Sequence, residues 1–471
     1  MSELNYLSAS EMAQRIRRGE LSPIELVDAH LGGIEMLNPR LNAYVKVEAE
    51  GAVRQAREAE EQLRSHRTLG PLHGVPISIK SSIEVEGMPY EAGSRLRTGI
   101  VGKQDAPIVR RLRHAGAIIL GVTNTPELLM AWESENLLYG RTNNPWDLSC
   151  TAGGSSGGEA AAIAGGISAG GVGSDGGGSI RVPAHFCGIC GLKPTPGRIA
   201  ATGHFPQSAG PFALLGVVGP MARTVADLKL LFEVMQGPDD GDPCAAPVPV
   251  RWPGPKEIKK TRIAYFEDDG RTPVTSETHE AVRTAVTALR HAGFVVEQFR
   301  PDGLEQARQA WWAFFGIAGG MLLQPLLSGR EAELSPILRQ FCKWVAAEPV
   351  HTAETLLGAW MQRDLLRMKI FAQMQKYPIL LCPVASIPAF KHGEREWKID
   401  GKTVKYLDAW SYCEWFNLLG CPAVAVPVGN SAENLPIGIQ IVGRPWEEEV
   451  ALEVAAVVER ECGAGKIAPI A

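Results

Sequence analysis

No run of basic residues long enough to neutralise a phosphate backbone occurs in the 471 residues, and 52 acidic against 47 basic side chains leave a net charge of −5. Nucleic acid is therefore not an expected direct partner. No 18 consecutive apolar residues run without glycine, proline or a polar interruption, so no membrane association is expected. The opening Met1-Ser2-Glu3-Leu4-Asn5 has neither a basic segment nor an apolar core, which argues against a secretory signal. Cysteine is sparse: nine residues, odd in number and scattered, fit reduced thiols in a cytoplasmic protein better than a disulfide framework. Disorder is excluded by 45% hydrophobic and 21% charged residues. At roughly 150 residues per domain the length suggests about three domains, yet large α/β enzymes run longer as one unit.

Helix and strand signals alternate along the chain. Ser8 with Glu11, and Ser22-Pro23-Ile24-Glu25, have capping-box spacing and predict two short helices at the start. The Ala/Glu/Arg-rich stretch 52–65 predicts a third. Val75, Ile77 and Ile79 alternate with Pro76, Ser78 and Lys80, the period of a strand. Pro107 to His114, then Ala115-Gly116, then Ala117 to Gly121 reads as helix, glycine stop and buried strand. Leu112-Arg113-His114-Ala115-Gly116 recurs as Leu289-Arg290-His291-Ala292-Gly293 before Phe294-Val295-Val296, the same local chemistry used twice rather than a fixed repeat. Residues 237–260 cluster proline, glycine and aspartate and read as a loop or linker. Residues 311–415 hold seven of the eleven tryptophans in a mostly helical pattern, and these aromatics read first as core. Segments 423–427 and 437–442 predict paired strands, and 447–459 a final helix. The alternation argues an α/β layer architecture with a substantial sheet.

Glycine is abundant where function would concentrate. Twelve of the thirty residues from Thr151 to Ile180 are glycine, a density that costs backbone entropy and implies conformations or close approaches that larger residues forbid. Several motifs compete for this tract. Gly171-Val172-Gly173-Ser174-Asp175-Gly176 matches G-x-G-x-x-G, but more glycines and Val182-Pro183 follow instead of a helix start, so a dinucleotide site is not supported. Gly153-Gly154-Ser155-Ser156-Gly157 matches a nucleophile elbow, yet none of the ten histidines sits in a recognisable motif. No lysine occurs between Lys103 and Lys193, which excludes a P-loop there. Cys187-Gly188-Ile189-Cys190 lacks a second pair for zinc and reads as buried thiols, so neither a metal nor an organic cofactor is expected.

Gly74-Val75-Pro76-Ile77-Ser78-Ile79-Lys80, Gly153-Gly154-Ser155-Ser156-Gly157-Gly158 and Asp175-Gly176-Gly177-Gly178-Ser179-Ile180-Arg181-Val182-Pro183 together resemble the amidase signature family. Thr123-Asn124-Thr125-Pro126-Glu127, Asn143-Asn144-Pro145-Trp146, Gly188-Ile189-Cys190-Gly191-Leu192-Lys193-Pro194 and Gly219-Pro220-Met221-Ala222-Arg223 are similar to it as well. The likeness is dense over 70–231 and thinner over 417–446, while 311–415 departs from a common pattern. It implies an α/β fold in one large domain, 1–471, with a mixed twisted β-sheet sandwiched between α-helices. Within it, N-terminal helices would span about 8–65, a catalytic core about 70–235, a variable, mostly helical, substrate-facing region about 300–415, and C-terminal strands and a helix 417–460.

The resemblance also implies a Ser-cisSer-Lys triad of Lys80, Ser155 and Ser179, in which Ser155 follows a cis peptide and relays a proton between Ser179 and Lys80. The chemistry agrees, because a hydroxyl attacks well only when a neighbouring base takes its proton, and lysine is a base only when neutral. Apolar surroundings favour that neutral form. Lys46 and Lys193 have similarly apolar neighbours, so sequence context alone does not choose. By the same resemblance Gly176, Gly177, Gly178 and Ser179 would offer backbone N–H groups to an oxyanion hole, and Ser156, Asp175 and Arg181 would brace them. Met130, Trp132 and Gly154 would meet substrate. Three positions depart from the family pattern: Gly176, Ala152 and Ser81 stand where a larger residue, a proline and an acid are frequent. The expected activity is hydrolysis of carbon–nitrogen bonds in small-molecule amides through a serine acyl-enzyme, with aryl carbamates (urethanes) and esters open to the same steps. Hydrophobic amides are expected to be preferred to small polar ones. The alternative is the glutaminase subunit (A-type) of a tRNA-dependent amidotransferase. A homodimer is compatible with the resemblance.

Overall fold

The computed structural model describes residues 2–65, 68–349, 352–463 and 467–470. Met1 and residues 350 and 351, which the N-terminal and 300–415 readings include, lie outside that set. Eleven strands build one sheet: β1 (Tyr44–Val47), β2 (Pro76–Lys80), β3 (Ile118–Thr123), β4 (Gly170–Asp175), β5 (Cys190–Lys193), β6 (Val217–Ala222), β7 (Arg262–Tyr265), β8 (Val295–Gln298), β9 (Ile379–Pro383), β10 (Ala423–Asn430) and β11 (Pro436–Val442). Their spatial order is β1-β3-β2-β4-β6-β5-β10-β11-β9-β7-β8. The sheet is mixed: β3, β2 and β4 run parallel, as do β9, β7 and β8, while the strands between are antiparallel.

Strand periodicity divides the core into two. Val424, Val426, Ile437, Ile439 and Ile441 join Ile77 and Ile79 in one cluster, whereas Ala423, Ala425 and Leu120 face the other. Helices cover both faces, so the fold is one α/β sandwich. The Pro23–Leu41 helix is not short as expected but runs 19 residues from a complete capping box at Ser22. Ser8 caps its helix too, although the Glu11 carboxylate turns to Arg15 instead of closing the box. The recurrent pentapeptide stops its two helices in the same way. Gly116 and Gly293 take φ of +91° and +86°, and the N–H groups of Ala117 and Phe294 return to the carbonyls of Leu112 and Leu289 at 3.0 Å. The chain then enters β3 and β8.

The helical run Leu304–Leu327 is long and apolar enough to cross a membrane by length and composition, yet Trp311 and Phe314 within it pack into the main core. Its middle, Ala313–Ala318, is a π-helical turn, a local widening that often re-aims side chains near functional sites.

Candidate active site

Strands β2 and β4 are parallel neighbours, so their C-terminal ends emerge at one edge of the sheet, where Lys80 closes β2 and Asp175 closes β4. Ligands in α/β sheets gather at such carboxyl ends. Because Ile77 and Ile79 face one core, alternation turns Ser78 and Lys80 to the other side, against the Gly157–Ala164 helix.

Lys80 is wholly buried, with Nζ 2.7 Å from Ser155 Oγ, 3.0 Å from Ser156 Oγ and 3.0 Å from Ser174 Oγ. Burial pushes its pKa well below the usual lysine value, and the opposing pull of Asp175 and Glu159 does not restore it. A neutral amine has two N–H donors and one lone pair. Ser156 gives its own proton to the Ser174 carbonyl at 3.2 Å and can only accept from Lys80. Ser155 and Ser174 are left as the hydroxyls able to donate to the lone pair. The other two lysines behave differently. Lys46 is exposed on β1, and Lys193, although buried and lowered to about 8 by burial and then by Arg181, gives its Nζ to the Pro194 carbonyl.

The Gly154–Ser155 peptide is cis, and the Ser155 carbonyl accepts from Thr125 Oγ1 at 2.7 Å. Ser179 borders the same cavity as Ser155, and its carbonyl takes the Ser156 N–H at 3.1 Å, which ties the two serine loops together.

A fully buried ion pair anchors the glycine loop from below. Arg181 Nε and Nη2 each lie 3.1 Å from Asp175, and the same guanidinium reaches Gln440, Asn417 and the Cys413 carbonyl. Burial pushes the Asp175 carboxyl up, but Arg181 outweighs it and holds the group well below the carboxylate range. Every carbonyl of the loop is then held by a donor: Asp175 O by Asn417 Nδ2 at 3.1 Å, Gly176 O by Trp311 Nε1 at 2.8 Å, Gly177 O by Trp132 Nε1 at 2.8 Å, and Gly178 O by the Val182 N–H at 2.7 Å. In a trans peptide the C=O and N–H point opposite ways, so these donors turn the N–H groups of Gly176, Gly177 and Ser179 away from themselves. Gly178 is a correction to the expected set: its N–H is spent on Asp175 Oδ1 at 2.7 Å. A Cβ on Gly176 would come within 3.2 Å of the Phe315 ring, which would have to give way slightly.

The cavity at the serines is narrow and has apolar walls from Leu129, Met130, Phe212, Val217 and Phe315. Of the three expected substrate contacts, only Met130 lies there. Trp132 is instead buried behind the loop, stacked on Trp410 with its N–H committed to Gly177. Gly154 is enclosed, and a Cβ on it would sit 2.5 Å from the Glu133 nitrogen and 2.7 Å from the Ala131 carbonyl. Sequence reasoning missed Ser174, Trp311, Asn417 and His204. The last borders the cavity with Nδ1 donating to the Pro206 carbonyl at 2.9 Å, and burial, then Lys80, lowers its pKa to about 4. Cys187 and Cys190 are buried thiols, and burial raises both pKa values.

The chain is similar to known proteins along most of its length. A family model described as Amidase matches residues 25–452. An indoleacetamide hydrolase of Bradyrhizobium diazoefficiens is 35% identical over 465 residues, covering 97% of this chain and 86% of its own. The A-type subunit of the glutamyl-tRNA(Gln) amidotransferase of Moorella thermoacetica is 32% identical over 482 residues, covering 97% of both. The crystal structure of a bacterial aryl acylamidase superposes with a TM-score of 0.88 at 26% identity, over 100% of this chain and 99% of that one. With the family model matched over most of the chain and relatives at 32–35% identity aligned over 97% of it, the chain belongs to the amidase signature family and is a hydrolase of carbon–nitrogen bonds.

Proposed function

We propose that the protein hydrolyses hydrophobic, aryl-bearing amides through a serine acyl-enzyme, with Ser179 as nucleophile, Ser155 as the bridging serine and Lys80 as base. The observation that carries this reading is the buried lysine with its amine 2.7 Å from Ser155 Oγ. Neutral Lys80 takes the Ser155 proton as Ser155 takes that of Ser179, and the Ser179 oxygen attacks the amide carbon. Negative charge on the carbonyl oxygen is met by the N–H groups of Gly176, Gly177 and Ser179, held in place before the reaction starts. The proton returns through Ser155 to the leaving nitrogen, which departs as the amine, and water then cleaves the acyl-enzyme by the same relay. Aryl carbamates and esters can follow these steps.

The cavity walls favour the aryl-amide reading over the glutaminase one. Its only charged lining side chain among the described residues, Asp175, is committed to Arg181, so the amino and carboxylate groups of glutamine would find no charged partner. An aryl group would bury against Met130, Phe212 and Phe315, at about 25 cal/mol per Å² of apolar surface. The relatives' names span both chemistries, an indoleacetamide hydrolase and one component of an amidotransferase. The nine free thiols suit a cytoplasmic setting. The deciding measurement is kcat/KM for an anilide against that for glutamine on the purified chain. A ratio well above one is expected, and a ratio below one would favour the glutaminase reading.

A further inference from the structure

Trp311 also borders a second cavity, of about 620 Å³, which none of the proposed catalytic steps uses. Its walls include the partly exposed Trp312 and Trp344, with Trp311 and Trp415, each 1% exposed, packed beneath them. At the same cavity lies Glu414, whose side chain is 1% exposed. Neither carboxylate oxygen of Glu414 makes a hydrogen bond, and the neighbouring Ser411 Oγ and Trp415 Nε1 also lack partners. Arg308 Nε approaches Glu414 Oε2 to 3.4 Å without hydrogen-bond alignment, while its Nη1 is held by Asp408 at 2.7 Å. One guanidinium is thus shared between two carboxylates. Asp269, Glu305 and Glu348 also border the space, so acidic groups outnumber Arg271 and Arg308.

A buried carboxyl with unmade hydrogen bonds, whose arginine at 3.4 Å is also held by Asp408, gains from a second cation. Indole rings attract a cation as well, most strongly one whose substituents are apolar enough to lie against them. A hard divalent ion fits this setting poorly, because it would call for six or more oxygen ligands. We propose that this cavity binds a small organic ammonium ion, with Trp312 and Trp344 as walls and Glu414, buried beneath it, as countercharge. Burial holds the Glu414 carboxyl up at about 8 against the pull of Arg308, and a bound ammonium would draw that proton off.

The test uses the full chain and choline as the probe, followed by tryptophan fluorescence and calorimetry, with uncharged 3,3-dimethylbutan-1-ol as the isostere. Choline should bind saturably in the millimolar range or below, about tenfold more tightly than the alcohol. Glu414→Gln should weaken choline about tenfold, and Trp344→Leu, a milder change at a partly exposed wall, should weaken it as well. A nonreactive anilide analogue occupying the serine cavity should not displace it. Equal binding of the alcohol, full affinity in both variants, no saturation, or displacement by the anilide analogue would each overturn the proposal.

Discussion

The indole N–H of Trp311 donates to the carbonyl oxygen of Gly176 at 2.8 Å across 135 residues of sequence. A residue of the aromatic 300–415 region therefore fixes a peptide plane of the glycine loop. The matching bond from Trp132 to Gly177 differs in consequence, because the peptide it holds sends its N–H to Asp175 and not toward the cavity.

Trp311→Phe keeps an aromatic ring, smaller than the indole, and loses the bond. It should lower kcat by about tenfold or more with little change in KM, since an aimed oxyanion donor acts mainly in the transition state. Trp132→Phe should affect kcat less. Steady-state kinetics on an anilide distinguishes the two, and a KM effect alone would contradict the positioning role.

As the proposed base, Lys80 should set the pH dependence. Its depressed pKa places the neutral, proton-accepting amine on the alkaline side, so kcat/KM should rise with pH and level off well below the ordinary lysine value of 10.5. Ser179→Ala and Lys80→Ala should each remove activity while near-UV circular dichroism stays unchanged. Stability follows the same sign: between the native pKa and the unfolded value of about 10.4 the unfolded chain holds the extra proton, so folding weakens as pH falls through that window. A flat rate profile with chemistry rate-limiting would contradict a titrating Lys80.

Asp175→Asn leaves the Arg181 guanidinium buried without its countercharge. A loss of about 3–5 kcal/mol in denaturant unfolding is expected, with part recovered when Arg181→Met is added. An unchanged unfolding midpoint would show that Gln440 and Asn417 suffice for that arginine.

Phe315→Ala removes one wall of the serine cavity. KM for an anilide should rise about tenfold while acetamide is hardly affected. Equal effects on both would mean that the ring supports the loop rather than the substrate.

Much of this was legible in the sequence because it is local. The alternation through Ile77 and Ile79 placed Lys80 on the face away from them, and the two Leu-Arg-His-Ala-Gly stops marked where helices hand over to β3 and β8. The choice among Lys46, Lys80 and Lys193 was not legible, since only tertiary packing decides which amine meets serine hydroxyls. Met130 and Trp132 are two residues apart, yet one lines the cavity and the other lies behind the loop. Leu128 and Leu129, at φ of +50° and +68°, break any period on which a pattern could rest. The Gly178 bond to Asp175 and the Trp311 bond to Gly176 leave no mark in composition or spacing.

Phe315, a wall of the serine cavity, stacks on Trp311 one helical turn away, with ring centroids 4.6 Å apart and planes 13° from parallel. On the proposed reading, substrate choice and charge stabilisation share one stretch of helix. Grafting the 300–415 segment from another member of the family would import a new acyl preference together with a new aim for the Gly177 N–H. Libraries meant to redirect this enzyme should hold Trp311 constant and vary Met130 or Phe212, which border the same space from other segments.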